Sequence, residues 1–200
     1  MKLRLIVGGW LLMQAALPAL ALEDCEAVPG TLQKMVDVDQ DVRMRIGRLP
    51  FSDASLNAEA MRIDTANTVR LKQIIKDCGW PDSRKYGPYI PAYAWLIAQH
   101  ADLDPEFQSE VLELIRPLAM QGYVRKKDFA YLTDRVMYKK TGKQLYGSQL
   151  VETEEGAVLK MEEIDSIEEV NKRRAEVGLP TMEEYLRTAN QGLKENRAGK

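Results

Sequence analysis

The stretch AYAWLIAQHADLDPEFQ, residues 92–108, contains the junction between two predicted helices and the one histidine of the chain, His100. Pro88 and Pro91 suit the first turn of a helix, and the apolar residues that follow supply its buried side. Asp104 is a favourable N-cap, and the proline after it suits the first position of a second helix. The stretch therefore predicts two helices joined by a short acidic turn, with His100 close to the end of the first.

Helical spacing of apolar residues continues on both sides of this junction. Towards the C-terminus the pattern changes to short runs typical of strands around the turn EEG at 154–156, which predicts a small β-hairpin near residues 144–161. Two last helices follow, and each begins with a capping box. The fold class is therefore mainly α, a single helical domain of about seven helices with one hairpin. The first five predicted helices cover residues 31–46, 57–78, 88–101, 105–122 and 128–140, and the capping boxes are Ser166 to Glu169 and Thr181 to Glu184.

The first 21 residues have the three parts of a secretory signal peptide. A basic start precedes an apolar run, and Ala19-Leu20-Ala21 is a small-residue cleavage pattern. The run is shorter than the ~20 residues that span a bilayer, which argues against an uncleaved anchor. Residues 22–193 then form the single domain, and residues 194–200 a frayed polar tail. We expect an exported protein, periplasmic or secreted, with no membrane span after signal cleavage.

Cys25 and Cys78 are the two cysteines of the chain. In an oxidising compartment an even pair usually closes, so we predict a disulfide between them. The alternative is two thiols that never approach each other. A catalytic cysteine is not favoured, because no activating pattern accompanies either residue.

The balance of charge argues against nucleic acid as a partner. The formal net charge is −2, and acidic and basic residues are interspersed along the chain. Phosphate binding needs a clustered basic face, so nucleic acid is not an expected partner. A small molecule or a peptide stays open as a partner, and the sequence does not specify the oligomeric state. The sequence has no phosphate loop, nucleophile elbow or metal-ligand motif, so no cofactor is predicted.

Five blocks of sequence carry polar residues beside apolar ones. They are GWP at 79–81, AWLIAQHAD at 94–102, AYLTDRV at 130–136, GKQLYGSQ at 142–149 and NKRRAEVGLP at 171–180. Together they resemble a bacterial family catalogued only as a domain of unknown function, over residues 60–187. The family favours threonine at the place of Ser148 and often has histidine at the place of Cys78, which implies that the disulfide is particular to this branch. The resemblance implies membership of that family without a reaction.

Polar residues of these blocks are candidates for a binding site. Arg135 lies one helical turn from Tyr131, and Gln144 and Tyr146 would share one face of the predicted strand. A planar arginine with amides and a phenol nearby suits a carboxylate or a sugar-like ligand. The alternative is an internal network that holds the hairpin against the helices. The candidate ligand-binding residues are Arg135, Gln144, Tyr146, Gln149, Gln108 and Arg174.

His100 supports three interpretations. At a helix C-terminus it can be a structural residue that donates to a carbonyl and is favoured by the helix dipole. It can be a general acid or base with Asp134 or Asp102 orienting its ring. It can ligate a metal beside Asp102 and Asp104, but a single histidine argues against zinc, and the oxygen spacing does not suit a Ca²⁺ loop. The catalytic candidates are therefore His100 and Asp134, and no metal site is predicted.

Two classes of function stay open at this point. One is a non-enzymatic envelope protein that binds a small ligand, peptide or partner through the region of Arg135, Gln144 and Tyr146. The other is a hydrolase or transferase that uses His100 as general acid or base. We favour the first, because no nucleophile motif accompanies the histidine. Either site would require the end of the third predicted helix, the middle of the fifth and the first strand to meet.

Overall fold

The computed structural model describes residues 24–48, 53–153, 156–159 and 165–198, so the predicted signal peptide lies outside the described residues. This part of the chain is mainly α, as predicted, with eight helices and one antiparallel hairpin. The additional helix is the single turn α3. The elements are α1 Val28–Gly47, α2 Ala54–Cys78, α3 Ser83–Tyr86, α4 Ile90–Gln99, α5 Pro105–Met120, α6 Lys126–Thr141, β1 Leu150–Thr153, β2 Gly156–Leu159, α7 Ile167–Glu176 and α8 Met182–Ala198.

Helix α4 is the element around which the others pack, because it contacts α1, α2, α3, α5 and α6. Ala94 and Ala98 on this helix are fully buried, and their small side chains let neighbouring helices approach its backbone. The neighbours contribute buried aliphatic side chains to one core: Leu32 of α1, Leu71 and Ile74 of α2, Val111 and Ile115 of α5, and Leu132 of α6.

The junction between α4 and α5 has the predicted form. Asp104 is the N-cap of α5, and its Oδ1 accepts from the backbone N–H of Phe107 at 3.1 Å. Pro105 takes the first helical position, where a missing N–H costs no helical hydrogen bond. The local signals in the sequence therefore determine where the chain turns after His100.

The disulfide between Cys25 and Cys78 is present and ties the residues before α1 to the end of α2. The two Cα atoms are 5.6 Å apart, which is within the range that a disulfide needs. The Tyr86 hydroxyl donates to the Cys25 carbonyl at 2.9 Å and fixes the same region against α3. The predicted pairing is confirmed.

The hairpin is shorter than predicted. Strand β1 begins at Leu150, and β2 pairs with it in the register Leu150 to Leu159 and Thr153 to Gly156. Residues 144–149 form a loop, so the expectation that Gln144 and Tyr146 share one face of a strand was wrong. Gly147 has a φ of 65°, which is incompatible with a strand.

The two C-terminal helices begin at the predicted caps. Ser166 Oγ accepts from the Glu169 N–H at 3.3 Å. Thr181 and Glu184 each accept from the other's backbone N–H, at 3.2 and 3.1 Å. Helix α8 continues to Ala198, so the predicted polar tail of residues 194–200 begins inside this helix. Among the described residues, no helix has both the length and the apolar character needed to cross a bilayer.

Candidate functional site

Asp134 of α6 organises the loop of residues 144–149. Its carboxylate is fully buried and accepts three backbone N–H groups, from Leu145 at 2.7 Å, Tyr146 at 2.9 Å and Ser148 at 2.8 Å. Both oxygens are therefore bonded to the loop backbone. A catalytic role for Asp134 stays a prediction, and the observed contacts are those of a residue that fixes a loop.

Gln144 and Gln149 close the same loop with their side chains and backbone. Gln144 Oε1 accepts from the Gln149 N–H at 2.8 Å, and Gln144 Nε2 donates to the Gln149 carbonyl at 3.1 Å. The Gln144 amide thus replaces the backbone partner that a strand neighbour would supply. The side chain of Tyr146 is half-buried, and burial is the main cause that raises the pKa of its phenol.

Arg174 of α7 is fully buried and holds the loop from the other side. It donates to the carbonyls of Tyr146 at 2.6 Å and Pro180 at 2.5 Å, and its guanidinium lies 4.8 Å from the ring centre of Tyr185. Burial lowers the pKa of Arg174. Gln144, Tyr146 and Arg174 therefore belong to an internal network of the kind that was the alternative to a binding site.

Tyr185 makes the stability of this network depend on pH. Its hydroxyl donates to the Ser148 carbonyl at 3.0 Å, and burial raises the pKa of the phenol to about 12. An unfolded chain loses this proton near pH ~10. The pKa of Tyr185 is higher in the folded protein than in the unfolded chain. The stabilisation that Tyr185 contributes is therefore complete below pH ~10 and is lost as the pH rises to about 12.

Between these pH values we expect the wild type to lose about 2–3 kcal/mol of unfolding free energy that Tyr185→Phe does not lose. Urea unfolding at several pH values measures the difference between the two proteins. Tyr89→Phe is the control, because Tyr89 is 75% exposed. Equal pH dependence in wild type and Tyr185→Phe would contradict this account.

Two cations of α6 bind the acidic turn after α4. Arg135 Nη1 donates to both oxygens of Asp102, at 2.9 and 2.8 Å. Lys139 Nζ donates to Asp102 Oδ1 at 2.7 Å and to the Asp102 carbonyl at 2.9 Å. Burial would raise the pKa of Asp102, but the charge of Arg135 and the hydrogen bond from Lys139 outweigh it and lower that pKa. One carboxylate is thus shared by two positive charges.

Gln108 fixes the same turn from α5. Its side chain is fully buried, and Nε2 donates to the carbonyls of Ala98 and Gln99 at 3.2 and 3.1 Å. The last carbonyls of a helix lack helical donors, so Gln108 caps the end of α4. Its Oε1 accepts from Lys139 at 3.2 Å. Both ends of the Gln108 amide are therefore bonded to the protein.

A cavity of about 250 Å³ lies beside these cations. Gln149 and Tyr138 line it together with the ion cluster, and Leu150 and Val151 of the hairpin form its apolar part. Arg135 lines it as well. Its Nε and Nη2 make no hydrogen bond within the described part of the chain, and Nε is buried. The cavity therefore combines an arginine with unused donors, a lysine and a short apolar surface.

A second cluster of charged groups joins α1, α2 and α4. His100 Nδ1 lies 3.0 and 3.1 Å from the two oxygens of Asp39, a fully buried carboxylate of α1. Arg43 of α1 contacts Asp39 at 2.8 Å and Asp64 of α2 at 2.9 Å. His100 is 18% exposed, and its Nε2 makes no hydrogen bond within the described residues. The cluster thus connects three helices through one imidazole, two carboxylates and one guanidinium.

The carboxylate that orients His100 differs from the two that the sequence suggested. Asp134 binds the loop backbone and Asp102 binds the cations of α6, whereas the imidazole is held by Asp39. The end of α4 and the middle of α6 do meet, through Asp102 and Arg135. The ring of His100 instead contacts α1, so the histidine and the arginine belong to separate clusters.

The two carboxylates of the histidine cluster differ in their pKa shifts. Burial would raise the pKa of Asp39, but the hydrogen bond from His100 and the charge of Arg43 outweigh it and hold that pKa below its ordinary value. Burial raises the pKa of Asp64, and the hydrogen bond from Arg43 offsets this only in part.

A sequence profile of the family of unknown function DUF6624 matches residues 28–195. The chain belongs to this family. The predicted membership of a family of unknown function is confirmed. No curated protein and no solved structure matches the chain. The matched residues span α1 to α8 and therefore contain both charged clusters and the 250 Å³ cavity of this DUF6624 protein.

Three residues of these clusters, Asp39, Arg43 and Lys139, were not identified from the sequence. Asp39 had a recognisable signal, because it follows Val36 by three positions and precedes Val42 by three, so it occupies a core position of an amphipathic helix. An acid at such a position needs a partner. Asp64 of α2 is a second acid in the cluster, and its partner is Arg43, whose Nη2 donates to Asp64 Oδ1 at 2.9 Å.

A wider cavity of about 760 Å³ lies along the outer face of α2. Met61, Val69 and Leu103 line it, and each is more than half exposed, at 51%, 56% and 62%. No candidate residue from the sequence lines this cavity, and its wall is mainly apolar. The candidate site is therefore the smaller cavity, where charged groups converge.

Proposed function

We propose that this protein binds a small ligand that carries a carboxylate, and that the ligand lies in the 250 Å³ cavity beside Arg135. The proposal rests on the N–H groups of the Arg135 guanidinium that Asp102 does not use. Only Nη1 is used by Asp102, so the edge formed by Nε and Nη2 has no partner within the described residues. Two parallel N–H groups on that edge match the two oxygens of a carboxylate.

The charge around the cavity supports an anionic ligand. Arg135 and Lys139 contribute two positive charges, and Asp102 contributes one negative charge. A ligand carboxylate would balance the remaining positive charge. Because Nε is buried, the ligand would reach it after a shift of the Arg135 side chain toward the cavity. The contact would then satisfy a donor whose lack of a partner costs roughly 1–3 kcal/mol.

The size and the apolar part of the cavity limit the ligand further. Its volume of about 250 Å³ is below the ~300–1,000 Å³ of sites for drug-sized ligands. Leu150 and Val151 offer a short apolar surface, and Gln149 offers an amide. An amino acid, a hydroxy acid or a short dicarboxylate has a suitable combination of groups.

We also propose that the protein acts outside the cytoplasm. The signal-like pattern of residues 1–21 supports export. The disulfide between Cys25 and Cys78 is compatible with an oxidising compartment. We therefore propose a periplasmic or secreted protein that binds small carboxylates as solutes or as parts of a peptide.

A thermal-shift screen followed by calorimetric titration tests the binding function. The screen contains succinate, glutamate and lactate, with succinamide as the uncharged counterpart of succinate and inorganic phosphate as another anion. We expect at least one carboxylate to bind in a one-to-one ratio. Arg135→Lys should weaken that binding about tenfold or more, because lysine keeps the charge but loses the planar pair of donors.

Arg116→Lys is the matched control for this substitution. Arg116 also pairs with a carboxylate, that of Glu113 at 2.8 Å, but it lies on the surface of α5 away from the cavity. Binding should be unchanged in this variant. The absence of any carboxylate ligand, or equal affinity in wild type and Arg135→Lys, would overturn the proposed function.

A further inference from the structure

We infer that Asp39, Asp64 and His100 form a binding site for a divalent transition-metal cation such as Zn²⁺ or Mn²⁺. The three residues come from α1, α2 and the end of α4, and one ligand atom from each lies within 4.8 Å of the others. Carboxylate oxygens and an imidazole nitrogen are ligands that these cations accept. This inference is independent of the carboxylate-binding function, which uses other residues.

The distances in the cluster suit a shared cation. Two ligand atoms that each lie about 2.1 Å from one Zn²⁺ are about 3.0–3.5 Å apart at the usual angles. His100 Nδ1 already lies 3.0 and 3.1 Å from the oxygens of Asp39. To bind the cation, Nδ1 must present its lone pair, so the neutral imidazole would carry its proton on Nε2. The third ligand, Asp64, has an atom within 4.8 Å of the other two, so its carboxylate would move closer to them when the cation binds.

Arg43 takes the place of a cation in this cluster. Its guanidinium bridges Asp39 and Asp64 and supplies one positive charge to two carboxylates. A divalent cation would supply both charges. The Arg43 side chain is 28% exposed, so its charged end can turn into solvent when the cation binds. Arg43 and the metal therefore compete, and loss of the arginine should tighten metal binding.

The two carboxylates closest to His100 in the sequence, Asp102 and Asp104, are not free to share a metal with it. Asp102 is bound by Arg135 and Lys139, and Asp104 caps α5. The fold supplies other carboxylates, and Asp39 is 61 positions away from the histidine. Two of the three ligands are held by contacts between helices, which fixes their separation before a cation arrives.

Calorimetric titration of untagged, disulfide-bonded protein with Zn²⁺ and with Mn²⁺ tests the site. His100 is the only histidine of the chain, so no other imidazole competes. We expect one equivalent to bind with saturation, and His100→Ala and Asp39→Asn to weaken binding at least tenfold. Arg43→Gln should strengthen binding several-fold. Asp41→Asn is the control, because Asp41 is an exposed acid of the same helix, and it should leave the affinity unchanged.

A nuclear magnetic resonance measurement on the wild type does not depend on whether the variants fold. Zn²⁺ should shift the imidazole nitrogen resonances of His100, which are identified at once because the chain has a single histidine. The inference is overturned by unshifted imidazole resonances at saturating Zn²⁺. It is also overturned by unaltered binding in both His100→Ala and Asp39→Asn, or by weaker binding in Arg43→Gln.

Discussion

Replacing Asp134 with alanine is expected to lower the free energy of unfolding by about 3–5 kcal/mol. The buried carboxylate accepts the N–H groups of Leu145, Tyr146 and Ser148, and all three donors lose their acceptor at once. Each unpaired buried donor costs roughly 1–3 kcal/mol. The expected loss of unfolding free energy is smaller than three such costs added together, because part of the loop can reach water. Such a loss is large beside the ~5–15 kcal/mol that stabilises a typical domain.

Urea unfolding of Asp134→Ala, Asp134→Asn and Asp37→Ala measures this effect. Asparagine keeps one acceptor oxygen, so Asp134→Asn should lose less than the alanine variant. Asp37 is an exposed acid of α1 that, among the described residues, accepts only from Gln33 in the same helix, and its replacement should change stability by less than about 0.5 kcal/mol. Equal unfolding midpoints for Asp134→Ala and Asp37→Ala would contradict the structural role.

Reduction of the disulfide is expected to cost about 4 kcal/mol of unfolding free energy. Cys25 and Cys78 are separated by 53 positions, and the bond removes the conformational freedom of that long loop from the unfolded chain. Cys78 packs against the helical core, and we expect these apolar contacts to persist when the bond is reduced. The protein should therefore stay folded but become much less stable.

Urea unfolding in the presence and absence of a reductant measures this loss, and Cys25→Ser/Cys78→Ser serves as a chemically stable counterpart. The double variant should be about as unstable as the reduced wild type and should not respond to reductant. Oxidised and reduced wild type with the same unfolding midpoint would contradict the prediction.

Features set by neighbouring residues could be predicted from the sequence. The start of α5 depends on Asp104 and on Phe107 three positions later, and the start of α8 depends on Thr181 and Glu184. In each case the sequence contains both partners of the interaction within one helical turn. The helix boundaries around the acidic turn were predicted well for this reason.

The loop before β1 shows where local patterns fail. Gln144 and Tyr146 alternate with apolar residues in the way that a strand does. The backbone N–H and carbonyl of Tyr146 are instead bound by Asp134 of α6 and by Arg174 of α7, and the side chain of Gln144 bonds to the backbone of Gln149. These partners are distant in sequence, so the period-two pattern could not reveal that a carboxylate and a guanidinium replace a neighbouring strand.

The carboxylate-binding chemistry suggested by the sequence stays a prediction, and the sequence did not reveal which charged residues pair. The planar donors of Arg135 suggested a carboxylate ligand, and the structure places this residue at a cavity with an unused edge. The partner of His100 could not be found, because Asp39 belongs to another helix 61 positions earlier. Helix packing decides such a contact, and one sequence does not specify which helix faces which.

A crystal structure of the protein with its tightest-binding small carboxylate would locate the ligand. The proposed function predicts a carboxylate in the cavity between α6 and β1, with its two oxygens about 2.7–2.9 Å from Nε and Nη2 of Arg135. Asp102 should stay on Nη1. The proposed function would be contradicted by a ligand bound elsewhere, such as in the wider cavity along the outer face of α2, while Arg135 binds Asp102 alone.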